Sequence, residues 1–97
     1  MNYWLHPEAQ EDLREAAEFY REQAGVGLSQ SLFAEFEHSV SLLLRYPGLG
    51  AVWRHGKRRI VMNRFPYSVI YTVVGEQIRV LAVAHHSRRP SYWRGRK

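Results

Sequence analysis

"YSVIYTVVGEQIRVLAVAHH", residues 67–86, sets two runs of β-branched and aromatic residues on either side of Gly75-Glu76. Runs of this kind, bounded by turn residues, read as strands. A two-residue link between them reads as a tight antiparallel hairpin, with Gly at its first position as a type II′ turn prefers. Upstream, "KRRIVMN" (57–63) alternates partly and supplies a further strand. Pro66 cannot donate to a ladder, so it belongs at the entry of the strand that follows it.

A sheet of this sort needs cover, and the first half of the chain supplies it. Pro7 suits the first turn of a helix, and Glu8, Glu11 and Asp12 favour the positive end of its dipole. Ala9, Leu13, Ala16, Ala17, Tyr20 and Ala24 recur at spacings of three and four, predicting an amphipathic helix over 8–24. "AGVG" (24–27) breaks it. Leu32, Phe36, Val40, Leu43 and Leu44 predict a second helix over about 28–45, ended by "YPGLG" (46–50). Tyr3-Trp4-Leu5 reads as a short opening strand. The expected fold is α+β, in the order β-α-α-β-β-β. An antiparallel sheet carries a helix hairpin on one face and leaves the other free, all within one domain spanning 1–97.

The 97 residues are 45% hydrophobic and 13% aromatic, enough for one core. No cysteine is present, which excludes disulfides, thiolate chemistry and Cys-based zinc sites. The first twenty residues lack the basic flank and apolar run of a signal peptide. No apolar run approaches the ~20 residues of a membrane helix, so the expected location is cytoplasmic. Charge is strongly polarised. Residues 1–53 carry three Arg against eight acids, whereas residues 54–97 carry eleven Arg or Lys against Glu76 alone. The second half is therefore expected to face something acidic, with a merely solubilising basic surface as the plainer alternative.

The helix-ending "YPGLG", the Arg64-then-"FPY" strand entry and the closing "HxxRRPxYW" (85–93), in this order, resemble the RelE/ParE superfamily of toxins from bacterial type II toxin–antitoxin modules. The resemblance covers nearly the whole chain. It implies a toxin neutralised by a cognate antitoxin, whose acidic and apolar C-terminal segment lies across it. It also implies one of two targets. RelE-like members cleave mRNA on the ribosome, a 2′-OH attack that needs proton transfer and compensation of phosphorane charge. ParE-like members poison DNA gyrase and need a binding surface without hydrolytic residues.

Position by position, the nuclease set is half present. RelE-like nucleases often carry Arg directly after the central-strand tyrosine, here Tyr67, but that position is Ser68. A hydroxyl cannot replace a guanidinium in holding a scissile phosphate. Arg59 stands where a catalytic lysine is expected, and the next same-face position is Val61, not a base. His86 aligns with a nuclease arginine, and Tyr92 with a nuclease tyrosine. The ParE-like, gyrase-directed reading is preferred, and it makes the chain a binding protein without catalysis. The alternatives are a metal-independent mRNA nuclease using Arg59, His86 and Tyr92, or a non-toxic relative that only binds an antitoxin.

The residues expected to meet a target or antitoxin are Arg59, Arg64, Tyr67, His85, His86, Arg88, Arg89 and Tyr92. His85 and His86 are adjacent, so in a strand they face opposite ways and at most one joins Arg59. No metal or other cofactor is expected, since no third ligand is spaced for it. Trp93 is expected to anchor the tail onto the core. Tyr67 and Tyr71 suit core and site equally. Arg94, Arg96 and Lys97 are expected to fray, so charge reversal at Arg89 is expected to matter more than at Arg96.

Overall fold

A computed structural model describes residues 1–53 and 56–96. The chain runs β1 (Asn2–Leu5), α1 (Pro7–Ala24), α2 (Val26–Arg45), β2 (Ala51–Val52), β3 (Arg58–Val61), β4 (Tyr67–Val74) and β5 (Gln77–His85), then a 3-10 turn over Pro90–Trp93. The five strands form one sheet in the order β1-β5-β4-β3-β2. The expected α+β architecture holds, with two corrections. A two-residue strand, β2, pairs with β3 through Ala51↔Arg59 and Val52↔Arg58; so short a segment carries no alternation to read. And β1 runs parallel to β5, from Asn2↔Gln77 to Leu5↔Val80, so the sheet is mostly rather than wholly antiparallel.

The β4–β5 hairpin turns at Gly75, whose φ of +59° is left-handed, while Glu76 is not. That pattern matches the II′ turn and not I′, which needs positive φ at both positions. Near its middle the ladder slips: Ile70 faces Ala82 but Tyr71 faces Val80, leaving Leu81 as an extra residue on β5. This bulge turns a Leu81 carbonyl out of the regular ladder.

His6 caps α1, its Nδ1 accepting from Glu8 N at 3.0 Å, with Pro7 at the first helical position. Ala9, Leu13, Ala16 and Ala17 are buried as the spacing predicts, but Ala24, the last residue of the helix, is exposed. One residue, Gly25 at φ +92°, ends α1 and begins α2. Leu32, Phe36, Val40 and Leu43 of α2 join the α1 residues over Val69, Tyr71, Ile78, Val80 and Val83 in one core. Tyr71 thereby belongs to the core. Its hydroxyl donates to Pro47 O and accepts from Gly50 N, both at 2.9 Å, and so stitches the "YPGLG" loop to the central strand. A Cβ on Gly50 would lie 2.6 Å from that hydroxyl oxygen.

The second face is not bare. Trp93, only 2% exposed, packs over Ile70, Ala82 and Ala84, with Trp53 and Tyr92 beside it. Trp93 anchors the tail as expected. The expected fraying of Arg96 is overturned: the residue is 9% exposed. Its Nη1 donates to Asp12 Oδ2 at 2.6 Å and to Leu81 O at 3.1 Å, its Nη2 to Asp12 Oδ1 at 3.3 Å, and its Nε to Glu8 Oε2 at 3.0 Å. Asp12 Oδ2 also accepts from Val83 N at 3.1 Å. Partners that far away in sequence leave no local trace, which is why a terminal arginine looked free. Arg94 is exposed, and Lys97 lies outside the described residues.

Candidate functional site

Strand alternation decides what the second face carries. Arg59↔Ile70, Val61↔Ser68, Ile70↔Ala82 and Ser68↔Ala84 put Arg59, Ser68, Ile70 and Ala84 on one side, away from the helices. There they wall a recess of about 160 Å³ together with Trp53, His85, His86, Arg88 and Trp93. The Arg59 guanidinium lies over the Trp53 ring at 4.1 Å from its centroid, and Arg88 over Tyr92 at 4.2 Å. Each ring fixes a charge that would otherwise wander. Ser68, 2% exposed, holds its Oγ 3.0 Å from His86 Nε2.

The adjacent histidine rings turn different ways, although both residues border the recess and His86 lies just past the end of β5. His86 turns to Ser68. His85 turns to the helix side, its ring edge-on to Tyr67 at 5.0 Å, with Nδ1 accepting from Ser87 N at 3.0 Å. Tyr67 sits in the core cluster, and burial, with Tyr20 next, raises its phenol pKa. A second groove of about 310 Å³ opens on that side, between α1 and the outer edge of β5, lined by Asp12, Phe19, Tyr67, His85, Arg88 and Tyr92 among others.

Tyr92 lines this groove, and its ring also packs beside Trp93 and carries Arg88. Its hydroxyl donates weakly to Val83 O at 3.5 Å, and burial first, then the charge of Asp12, push its pKa up to about 12. A phenol held neutral in that way can donate a hydrogen bond but is a weakened acid and cannot serve as a base near neutrality. So the structure brings Arg59 and His86 together with Ser68 and Arg88, and Tyr92 meets this group through Arg88 on its ring. Arg89 is exposed beyond Arg88. Arg64 lies in the loop before β4 at φ +69°, against Phe65, and lines neither cavity. Among the described residues no cluster of His, Cys, Asp and Glu could hold a metal.

Sequence reasoning missed Trp53 as a wall of the recess, although a Trp just ahead of a basic run was a visible signal. It missed the Asp12–Arg96 contact without any signal to find it.

A family model described as ParE toxin of type II toxin–antitoxin system, parDE, matches residues 3–90. The chain belongs to the ParE toxin family. A comparison with curated protein sequences gives no significant match. Among solved structures, a chain titled "Chromosomal ParDE TA system from P. aeruginosa" is similar, with a TM-score of 0.78 at 22% identity over 88% of this chain and 95% of that one. At that identity the likeness supports the fold and leaves the residues of the site to be argued from their own geometry. Among the described residues no helix of this ParE toxin is long and apolar enough to cross a membrane.

Proposed function

We propose that this ParE toxin acts in the cytoplasm on DNA gyrase and is neutralised by a cognate antitoxin whose acidic, partly apolar segment covers the basic half of the chain. The observation that carries the gyrase reading is the Tyr92 hydroxyl, held neutral and turned to Val83 O. Phosphoryl transfer from a 2′-OH needs acid, base and charge compensation around one phosphorus. Here the tyrosine is neutral and its hydroxyl is already turned to Val83 O. Ser68 fills the place of a phosphate-holding arginine and its hydroxyl is already engaged with His86. What remains is a basic, aromatic-braced contact surface.

Supercoiling assays with purified toxin and gyrase test this. The expected result is loss of supercoiling with accumulation of cleaved DNA complex, and unaltered gyrase activity at excess toxin overturns it. The mRNA nuclease reading keeps one point in its favour, the joint presence of Arg59, Ser68, His86 and Arg88 in a single recess. Codon-phased cuts in primer extension from expressing cells would select it.

A further inference from the structure

We propose that the recess walled by Arg59, Ser68, His86 and Arg88 is a phosphate subsite, and that it takes a backbone phosphate of nucleic acid. This deepens the gyrase reading, on which the nucleic acid is the DNA held by the enzyme.

Arg59 and Arg88 reach the recess from β3 and from the loop after β5, each stacked on an aromatic ring at 4.1 and 4.2 Å. Neither has a carboxylate partner among the described residues: the ion pairs there involve Arg14, Arg21 and Arg96. The acids explain why. All of them lie on α1 and α2, except Glu76 in the β4–β5 turn. The second face of the sheet is thus a field of one sign, and Arg79 extends it across the sheet, stacked on Trp4 at 4.1 Å. Stacking costs a guanidinium little of its hydrogen-bonding edge, so both forks remain available, pre-positioned, for an anion.

The size of the recess limits the anion. About 160 Å³ is well under the roughly 300 Å³ at which pockets for drug-sized ligands begin. It holds a charged group on a larger chain, not a whole small molecule. The donors come from separate elements: the guanidinium of Arg59 on β3 and that of Arg88 after β5, with the His86 ring and the Ser68 hydroxyl bonded to it. A tetrahedral phosphate presents acceptors in several directions, whereas a planar carboxylate presents two oxygens in one plane. Phosphate is therefore the better match, and the basic face leading away at Arg79 gives a polyanion a track.

The test is fluorescence anisotropy of labelled single-stranded and duplex DNA with the purified full chain, over a range of salt, without gyrase. Binding is expected at low salt. Arg59→Gln or Arg88→Gln should weaken it about tenfold and lower the salt slope by about one, as loss of one phosphate contact does. Arg45→Gln, an exposed charge on α2, should change neither. Arg59→Lys keeps the charge but loses the fork, and should recover the slope without the full affinity. Thermal melts establish that each variant folds. Absence of DNA binding at low salt overturns the proposal. So does equal behaviour of the Arg59, Arg88 and Arg45 variants, or an acidic peptide that depends on Arg59 and Arg88 more strongly than DNA does. Supercoiling assays on the same proteins keep the two ideas apart. DNA binding through Arg59 and Arg88 without gyrase inhibition sinks the target alone, and gyrase inhibition without DNA binding sinks the subsite alone.

Discussion

Replacing Arg96 with Met should destabilise the fold far more than the same change at its neighbour Arg94. The guanidinium is almost wholly out of water and opposes two groups that are nearly so: Asp12, with its side chain 14% exposed, and the Leu81 carbonyl freed by the bulge. Burial works against a charged Arg96, but the hydrogen bond and charge of Asp12, with the charge of Glu8, hold its pKa above the usual value. Glu8 itself is 65% exposed, so its share is that of a surface pair, about 0–1 kcal/mol at most. The loss comes from the other two. Met fills the stem's volume and strands a carboxylate and a carbonyl, and breaking a buried pair from one side costs about 3–5 kcal/mol.

Asp12 keeps Val83 N and some water, which argues for the lower end, about 3 kcal/mol. For a domain of this length that is a fall in Tm of roughly 12–24 °C. Urea and thermal unfolding followed by circular dichroism measure it. Arg94→Met, exposed two residues away, is the control and should stay within about 0.5 kcal/mol of wild type. The double variant Asp12→Ala with Arg96→Met should cost less than the sum of the two single changes, since neither charge is then left alone. Arg96→Met matching Arg94→Met within error, or strict additivity in the cycle, refutes the clasp.

Other outcomes follow from single groups. Tyr71→Phe leaves Pro47 O and Gly50 N without the hydroxyl that serves both, and should cost about 1–3 kcal/mol in urea unfolding. Tyr92, whose pKa is raised to about 12 in the fold, contributes stability that is fully present below its unfolded value of about 10 and is lost as pH rises through the folded value. Stability should therefore fall between those two pH values, and Tyr92→Phe should flatten that fall in melts taken across it. On the antitoxin side, association should slow steeply with rising salt while dissociation changes less, because the basic half steers the approach. Stopped-flow mixing reads both rates, and a salt-independent association rate would place the antitoxin on the acidic helices instead.

Elements whose signals are local were legible from the sequence. The hairpin declared itself through Gly75 and two strand-length runs, and both helices through spacing, because those patterns reflect one face meeting one core. The different directions of the His85 and His86 rings were expected from the pleat. What could not be read was set by pairing across the chain. The parallel docking of β1 depends on which edge of the hairpin was left open. Strand β2 exists only because Ala51 and Val52 find Arg59 and Arg58. Arg96 looked like the mobile end of a basic tail because Glu8 and Asp12, on α1, lie almost the whole chain away from it. Tyr92 aligned well with a nuclease tyrosine by position, yet its burial and its contact with Val83 O are properties of the folded edge that no motif displays.

The clasp and the recess are not independent, and this bears on how mutants of the tail are to be read. The short segment between them includes Tyr92, which carries Arg88 on its ring, and Trp93, which forms a wall of the recess. Arg96 lies 5.1 Å from the same Tyr92 ring and ties the chain beyond it to α1 and β5. Releasing Arg96 therefore loosens the platform on which Arg88 is held as well as the edge of β5. Loss of toxicity on substituting Arg96 would not show that Arg96 touches a target, since a buried side chain paired to Asp12 has no free donor edge to offer. The separation is experimental: Arg88→Gln should weaken contact while leaving the melting temperature near wild type, whereas Arg96→Met should lower both together. A tail that reads as one basic stretch in sequence is thus two devices in the fold, an exposed arginine that can meet a partner and a buried one that keeps it in place.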